Sequence, residues 1–420
     1  MIFIVLETAG WKDYPLSGPN CKMPRVAALL PHSLVANNHF STDIESLRAN
    51  FSIYTSLYDL PGEGDAQYFG KHLVGIPTRP LDALPRILAD QGYATRYYFP
   101  SVLWPKIFEE NSLHLYGFQQ VRMVHDVPVS RDADKELAQW NRLTVWSSAA
   151  EKMDAERKMY EMAIQDISEF HAQRKPFFLA IVGSIGHAPF ADVRPAEEIV
   201  RDPNPSRAVL LGNIAAFQDQ LIGNLLETLK QLNLFDDTIL LVTGDHGPRT
   251  RLDDPNLDLT FSSAENYHVP LLIHFPAAFQ KTVYIQRLTS HLDITPTVLD
   301  LMGFDPRNYM QEGLSMFDPA LDDRITYFLG QHLRGFDSLY HRGRYMMFSY
   351  VRNAMYLNDS FQFGPRNQID IASSGAGSKQ MYSALRGLRH TQEVWISYLR
   401  TLPRPNQNRD RNPQVLPKSW

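Results

Sequence analysis

Cysteine is nearly missing from this chain: its 420 residues include one, Cys21. No intramolecular disulfide can form, so the fold must rest on its packed core. That fits a reducing compartment without requiring one, since exported proteins also do without disulfides. No apolar run approaches the roughly 18 residues that read as a membrane-spanning helix. A basic surplus is missing too. The 41 Lys and Arg against 46 Asp and Glu leave a net charge of −5 and a pI near 6.3, with no basic stripe, so nucleic acid is not an expected partner. There are no internal repeats. The opening MIFIVLETAG lacks the basic start, the apolar length and the cleavage site of a signal peptide. It reads as a strand, and a chain that opens on a core strand raises the expectation of a segment upstream.

What is present is ordinary globular material, 44% hydrophobic and 21% charged. It suffices for one large core, or a large domain and a small one. Residues 2–6 read as a strand, 81–91 as a helix and 97–99 as extended chain. Residues 147–172 carry Ala, Glu, Lys and Met at helical spacing, and after Pro176 the run PFFLAIVG reads as a strand covered on both faces. A helix over 214–232 leads through Asp236 and Asp237 to a strand at 238–243. VPLLIHF, from Val269, is a further strand, and 294–302 a short helix with Pro296 in its first turn, where a missing N–H costs nothing. Strands alternating with helices, each strand a nearly continuous apolar run, predict an α/β fold with a mostly parallel sheet between two helical layers. Such sheets bind ligands beyond the carboxyl ends of their strands.

Composition shifts after Asp318. RITYFLG, SLYHRGRYMMFSYV and AMYLND read as short strands on tight turns, and 385–399 as a closing helix. The expected organisation is a catalytic domain over 1–318, a small α+β subdomain over 319–400, whose core takes the aromatic cluster at 345–350, and a disordered tail over 401–420.

Acids and a histidine stand where the predicted strands end. Glu7 follows IFIVL. Asp245 and His246 follow TILLVTG, on a turn whose flanking glycines let both side chains reach one ion. Glu, Asp and His together suit Mn²⁺, Zn²⁺, Mg²⁺ or Ca²⁺ without choosing among them. The plain alternative for Glu7 is a helix cap or a surface acid.

IFIVLETAG, SLRANFSIYTSLY, FFLAIVGSIGHAPF, FDDTILLVTGDHG, VPLLIHFP and HLDITPTVLDLMG follow one another in this order. In that order the chain resembles the sulfatase-like branch of the alkaline phosphatase superfamily over about residues 1 to 305. TGDHG and DITPTVLDLMG are the most specific pieces. The resemblance implies an alkaline phosphatase-like three-layer sandwich. It implies that Glu7, Asp245 and His246 hold one divalent metal ion, with glutamate at the first position as in the lipoteichoic acid synthase and phosphoethanolamine transferase branches. It further implies that His187, in GHAPF, contacts the substrate's phosphate or sulfate.

The family's nucleophile precedes a helix that ends in a motif like TGLYP. Here TSLYDLP follows that helix, and counting back from it lands on Ser46, a nucleophile that would also touch the metal; Thr42, four residues earlier, is the rival. A hydroxyl at a helix start beside a divalent cation is activated for attack on phosphorus. The plain alternative is that both residues cap the helix. Ser46-Leu-Arg-Ala-Asn does not fit the C/S-x-P-x-R context that sulfatases convert to formylglycine, and Cys21 lies outside any such context.

Arg249 and Arg251 follow the GDHG turn, where they clamp an anion or face water. His268 is placed to reach the same sheet edge. Asp293 reads as a cap or first-turn acid rather than a ligand, and Arg48 as a neutraliser of the leaving anion or a solvated residue. The expected function is a metal-dependent hydrolase or transferase of phosphate or sulfate esters, glycan- or lipid-linked among them, working through a covalent intermediate. A formylglycine sulfatase and a scaffold that kept the fold without the chemistry are the alternatives. The resemblance points to the cell envelope.

Overall fold

The computed structural model describes residues 1–58, 82–100, 116–124, 148–188, 190–248, 261–330 and 335–401, the last ten of these by backbone only. The expected tail over 401–420 falls, beyond Thr401, outside the described residues.

The first strand, β1 (Ile2–Leu6), is buried along its whole length. Because side chains alternate across a strand, Ile2, Ile4 and Leu6 enter one apolar core while Phe3 and Val5 enter another. The first core is closed by two long helices, Ala149–Ala172 and Arg207–Gln231. The second is closed by the shorter helices Ser46–Thr55, Leu84–Asp90 and Ile294–Leu301. That is the three-layer sandwich, with the sheet as its middle layer.

The other strands of the large sheet are β2 (Ser33–Ala36), β4 (Ala94–Phe99), β5 (Gln120–Met123), β6 (Phe177–Val182), β7 (Leu240–Gly244), β8 (Leu271–His274) and β9 (Val283–Ile285). Their order is β5-β4-β6-β1-β7-β8-β2-β9. β8 runs antiparallel to both its neighbours, and the other described pairings are parallel. A two-stranded parallel sheet joins β3 (His39–Phe40) to β10 (Thr289–Ser290).

Register decides where the chemistry sits. Leu6 lies opposite Gly244, so Glu7 and Asp245 stand level, each one residue past its strand. Val5 lies opposite Val182, which brings the Gly183–His187 turn to the same carboxyl edge.

The C-terminal region forms a five-stranded antiparallel sheet, β11 (Thr326–Leu329), β12 (Phe336–His341), β13 (Arg344–Ser349), β14 (Ala354–Asn358) and β15 (Gln368–Ile369). The helix Ala376–Thr401 seats Met381 and Leu385 on Leu339, Met346, Phe348 and Met355. Phe348 lies in this core; Tyr345 packs in the neighbouring aromatic cluster against Phe328 and Phe361. Arg389 of that helix donates through Nε to the buried Asp337 at 2.5 Å and again through Nη2.

Several contacts tie this sheet to the large layer, among them a backbone pairing and a buried ion pair. The Leu329 amide donates to the Thr42 carbonyl at 2.7 Å, and Asp43 bridges Leu329 in parallel. Arg324 forks onto the fully buried Asp293, with Nη2 2.7 Å from Oδ2. The carboxylate also accepts the amides of Ser290 and Leu314, so Asp293 caps the short turn His291–Asp293 and pairs with Arg324, while the helix Ile294–Leu301 that its sequence position suggested takes no side-chain cap from it.

Candidate active site

Glu7, Asp245 and His246 each offer a ligand atom within 4.8 Å of the others, and all three are buried. Thr8 follows Glu7 with a φ of +56°, a left-handed conformation that a β-branched residue rarely adopts. The bend points the Thr8 amide at Asp245 Oδ1, 2.8 Å away, and sets the Thr8 hydroxyl 2.8 Å from Glu7 Oε1. The His246 amide also donates to Asp245 Oδ1, at 2.6 Å. Asp245 Oδ2, by contrast, is buried without a hydrogen-bond partner among the described residues. His246 Nδ1 lies 2.7 Å from the Gly247 carbonyl, an acceptor only, so Nδ1 carries the proton and Nε2 keeps its lone pair. That lone pair lies 3.6 Å from Asp245 Oδ2 and 3.9 Å from Glu7 Oε1.

This donor set fits a divalent cation. Two buried carboxylates side by side are costly without a positive charge between them. Burial raises the pKa of both, and for Glu7 the charge of Asp245 raises it further. An ion would supply the missing charge and the missing partner for Asp245 Oδ2.

Ser46 opens the helix Ser46–Thr55 and completes the cluster. Its Oγ donates to Glu7 Oε2 at 3.0 Å and lies 3.3 Å from His246 Nε2. The N-cap residue of this helix, Glu45, makes no side-chain cap hydrogen bond, and the positive N-terminal end favours an anion. Thr42 lies elsewhere: its hydroxyl donates to Ser52 Oγ at 2.7 Å, and its carbonyl is held by Leu329. Arg48 does not face water. It is buried and bonded to Glu45 Oε2 at 3.0 Å.

His187 sits on the Gly183–His187 turn, its Nδ1 2.6 Å from the Ala188 carbonyl. The His268 ring is stacked on Trp11 at 5.2 Å and on Phe40 at 4.8 Å, and its Nε2 lies 2.8 Å from the Asn37 carbonyl. Arg249 and Arg251 lie outside the described residues.

Three supporting residues escaped the sequence reading. Gly186 presses so closely on Glu7 that a Cβ there would meet the Glu7 carbonyl oxygen at 2.0 Å. Gly186→Ala should therefore displace Glu7 and weaken metal binding by about 10–100-fold, the range for loss of an outer support. Titration calorimetry with Mn²⁺ would show it, and wild-type affinity in the variant would contradict it. His291 lies beneath the β7 turn, its Nε2 3.0 Å from the Gly244 carbonyl, and burial lowers its pKa to about 3. It is a neutral donor that fixes the start of the GDHG turn.

Glu156, in the helix Ala149–Ala172, is the third. Its Oε1 accepts the amides of Ser184 at 2.5 Å and Ile185 at 2.8 Å. Burial pushes its pKa from 4.5 to about 7. Between those values the folded protein keeps a proton that the unfolded chain has released, so stability falls as pH rises through that window. Glu156→Gln keeps the acceptor and removes the ionisation. It should differ little from wild type near pH 5 and be more stable by at most about 3 kcal/mol at pH 8. Urea unfolding at both values tests this, and a gap independent of pH would refute it. A signal for Glu156 was there to read: with Lys152 it falls on the apolar stripe of Ala155, Met159, Ala163 and Ile167.

Comparison with known proteins sets this geometry in context. The Sulfatase family model matches residues 1–304. Lipoteichoic acid synthase 1 of Bacillus subtilis (strain 168) is 23% identical over 171 residues, 39% of this chain and 26% of that protein. An endo-4-O-sulfatase of Bacteroides thetaiotaomicron is 29% identical over 153 residues, 31% of this chain and 29% of that protein. The match thus spans less than a third of either relative's length. The crystal structure of the lipoteichoic acid synthase LtaP from Listeria monocytogenes superposes with a TM-score of 0.65 at 17% identity, covering 97% of this chain and 93% of that one. Among the described residues no helix is long and apolar enough to cross a membrane.

Proposed function

This chain belongs to the Sulfatase family of the alkaline phosphatase superfamily, and we propose that it is a metal-dependent hydrolase or transferase of phosphate esters with Ser46 as nucleophile. The observation that carries this reading is the Ser46 hydroxyl, 3.0 Å from Glu7 and 3.3 Å from His246 at a helix N-terminus.

Glu7, Asp245 and His246 would hold the ion, with Ser46 Oγ at its edge. The ion, when bound, supplies positive charge that favours the alkoxide form of Ser46 and offsets the anionic ester. The Ser46 proton leaves Oγ along its hydrogen bond with Glu7. Oγ attacks in line, forming the Oγ–P bond as the bond from phosphorus to the ester oxygen breaks, and the departing alkoxide takes up a proton from water. His187, its Nδ1 2.6 Å from the Ala188 carbonyl, would contact a non-bridging oxygen of the ester, where charge concentrates in the transition state. Water or an acceptor alcohol then attacks phosphorus and releases Ser46. Substrates carried on a glycan or a lipid, and a place of work in the cell envelope, accord with the relatives matched.

The same site with Ser46 oxidised to formylglycine would hydrolyse sulfate esters, and sulfatases stand among the relatives. Arg48 and Asn50 in place of the Pro and Arg of the maturation context speak against it. Turnover of p-nitrophenyl phosphate, bis-p-nitrophenyl phosphate and p-nitrophenyl sulfate, with the mass of the peptide containing residue 46, separates the two. Phosphate-ester turnover with unmodified serine is expected. Turnover of the sulfate alone would reverse the assignment, and no metal with no turnover would leave a scaffold.

A further inference from the structure

We propose that Lys152 and Glu156 are positioning residues that hold the Gly183–His187 turn on the metal site and thereby set His187 against the substrate. The proposal rests on the function assigned to His187 above. The helix Ala149–Ala172 buries Ala155, Met159, Tyr160, Ala163, Ile167 and Phe170. A lysine and a glutamate intrude on that buried face, 8% and 1% exposed. Charged groups are rarely placed so deep unless they are paired or hydrogen-bonded.

One oxygen of Glu156 and the ammonium of Lys152 both reach this turn. Glu156 Oε1 takes the Ser184 and Ile185 amides at its start, and Lys152 Nζ donates to the His187 carbonyl at its end, 3.3 Å away. The turn is fixed between those points. The Gly183 amide donates to the Val5 carbonyl at 2.9 Å, the His187 amide to the Ser184 carbonyl at 3.0 Å, and Gly186 lies against Glu7. The space for the glutamate is shaped as well: a Cβ at Gly183 would come within 3.1 Å of Glu156 Oε1. One helical turn thus grips both ends of the loop bearing the substrate histidine. Ordinary core packing would need neither charge.

The test compares wild type, Glu156→Gln, Glu156→Leu, His187→Ala and the Glu156→Leu/His187→Ala double variant, all loaded with Mn²⁺. Turnover of p-nitrophenyl phosphate, calorimetric binding of inorganic phosphate and metal content are measured. Glu156→Leu should lose about 100-fold in kcat/KM, the scale of a misplaced contact, with metal content unchanged. Glu156→Gln should stay within a few-fold of wild type. In the His187→Ala background Glu156→Leu should cost little more, because both changes remove one contribution. If Glu156→Leu fails to fold, Lys152→Met releases the other end of the turn and should show the same dependence on His187. Losses that multiply in full, wild-type turnover in Glu156→Leu, or loss of metal from it would overturn the proposal while leaving the nucleophile assignment intact. A metal-loaded wild type that neither turns over the ester nor binds phosphate would overturn both.

Discussion

Asp245→Asn protein should carry no stoichiometric divalent ion after purification and should lose about 10³-fold or more of its ester turnover, a loss of several kcal/mol of transition-state stabilisation. Asparagine is the informative change because the two oxygens of Asp245 do different work. Oδ1 accepts the Thr8 and His246 amides, and an amide oxygen can go on accepting both. Oδ2 has no hydrogen-bond partner among the described residues, and only there does asparagine replace anionic oxygen with a poor ligand. Alanine would orphan two buried amides as well and so confuse metal loss with a collapsed turn. The apo-like variant should also unfold at the same temperature with or without added Mn²⁺, whereas wild type should be stabilised by it. Metal retained by Asp245→Asn at wild-type stoichiometry would remove Asp245 from the ligand set.

Ser46→Ala and Thr42→Val should part company. Ser46→Ala removes the attacking atom and spares the three proposed ligands, so turnover should fall by about 10³–10⁴-fold while metal content stays near wild type. Thr42→Val loses one buried bond to Ser52 Oγ, a cost of about 1–3 kcal/mol in stability, and leaves Ser46 in place. Its kcat should remain within a few-fold of wild type at temperatures where it is folded. Burst kinetics with p-nitrophenyl phosphate, followed by mass analysis of acid-quenched protein, would locate the phosphoryl group. A phosphorylated Thr42, or full turnover in Ser46→Ala, would sink the assignment.

Much of this site could be read before any coordinates. IFIVL and TILLVTG are apolar runs that a covered parallel strand requires, and each is followed by ligand-type residues. Register then brings Glu7 and Asp245 level, a consequence of two strands ending together. Other features left no mark on periodicity. VPLLIHF is buried on both faces whichever way it runs, so nothing in it signals that β8 is antiparallel. Thr42 and Ser46 could not be separated by composition, since both precede a helix. They differ because the chain between them turns, sending one hydroxyl to Ser52 and the other to Glu7. His268 has the residue type of a substrate contact, but Trp11 and Phe40, remote in sequence, lie against its ring. The helix 149–172 was legible as amphipathic. The destination of Lys152 and Glu156 was not, because their partners lie about thirty residues on, at 28, 29 and 35 positions.

The bond from the Leu329 amide to the Thr42 carbonyl bears on how such chains can be recombined. Thr42 stands four residues before the proposed nucleophile, and Leu329 closes the first strand of the C-terminal sheet. The loop that delivers Ser46 is therefore stitched to a part of the chain beyond the stretch matched by the family model. A chimaera that exchanged the C-terminal sheet for a relative's would have to reproduce that backbone pairing, and the Arg324 fork onto Asp293, before its serine could find the same place. Divergence in the small sheet is thus a route by which selection could retune the reaction without touching a ligand.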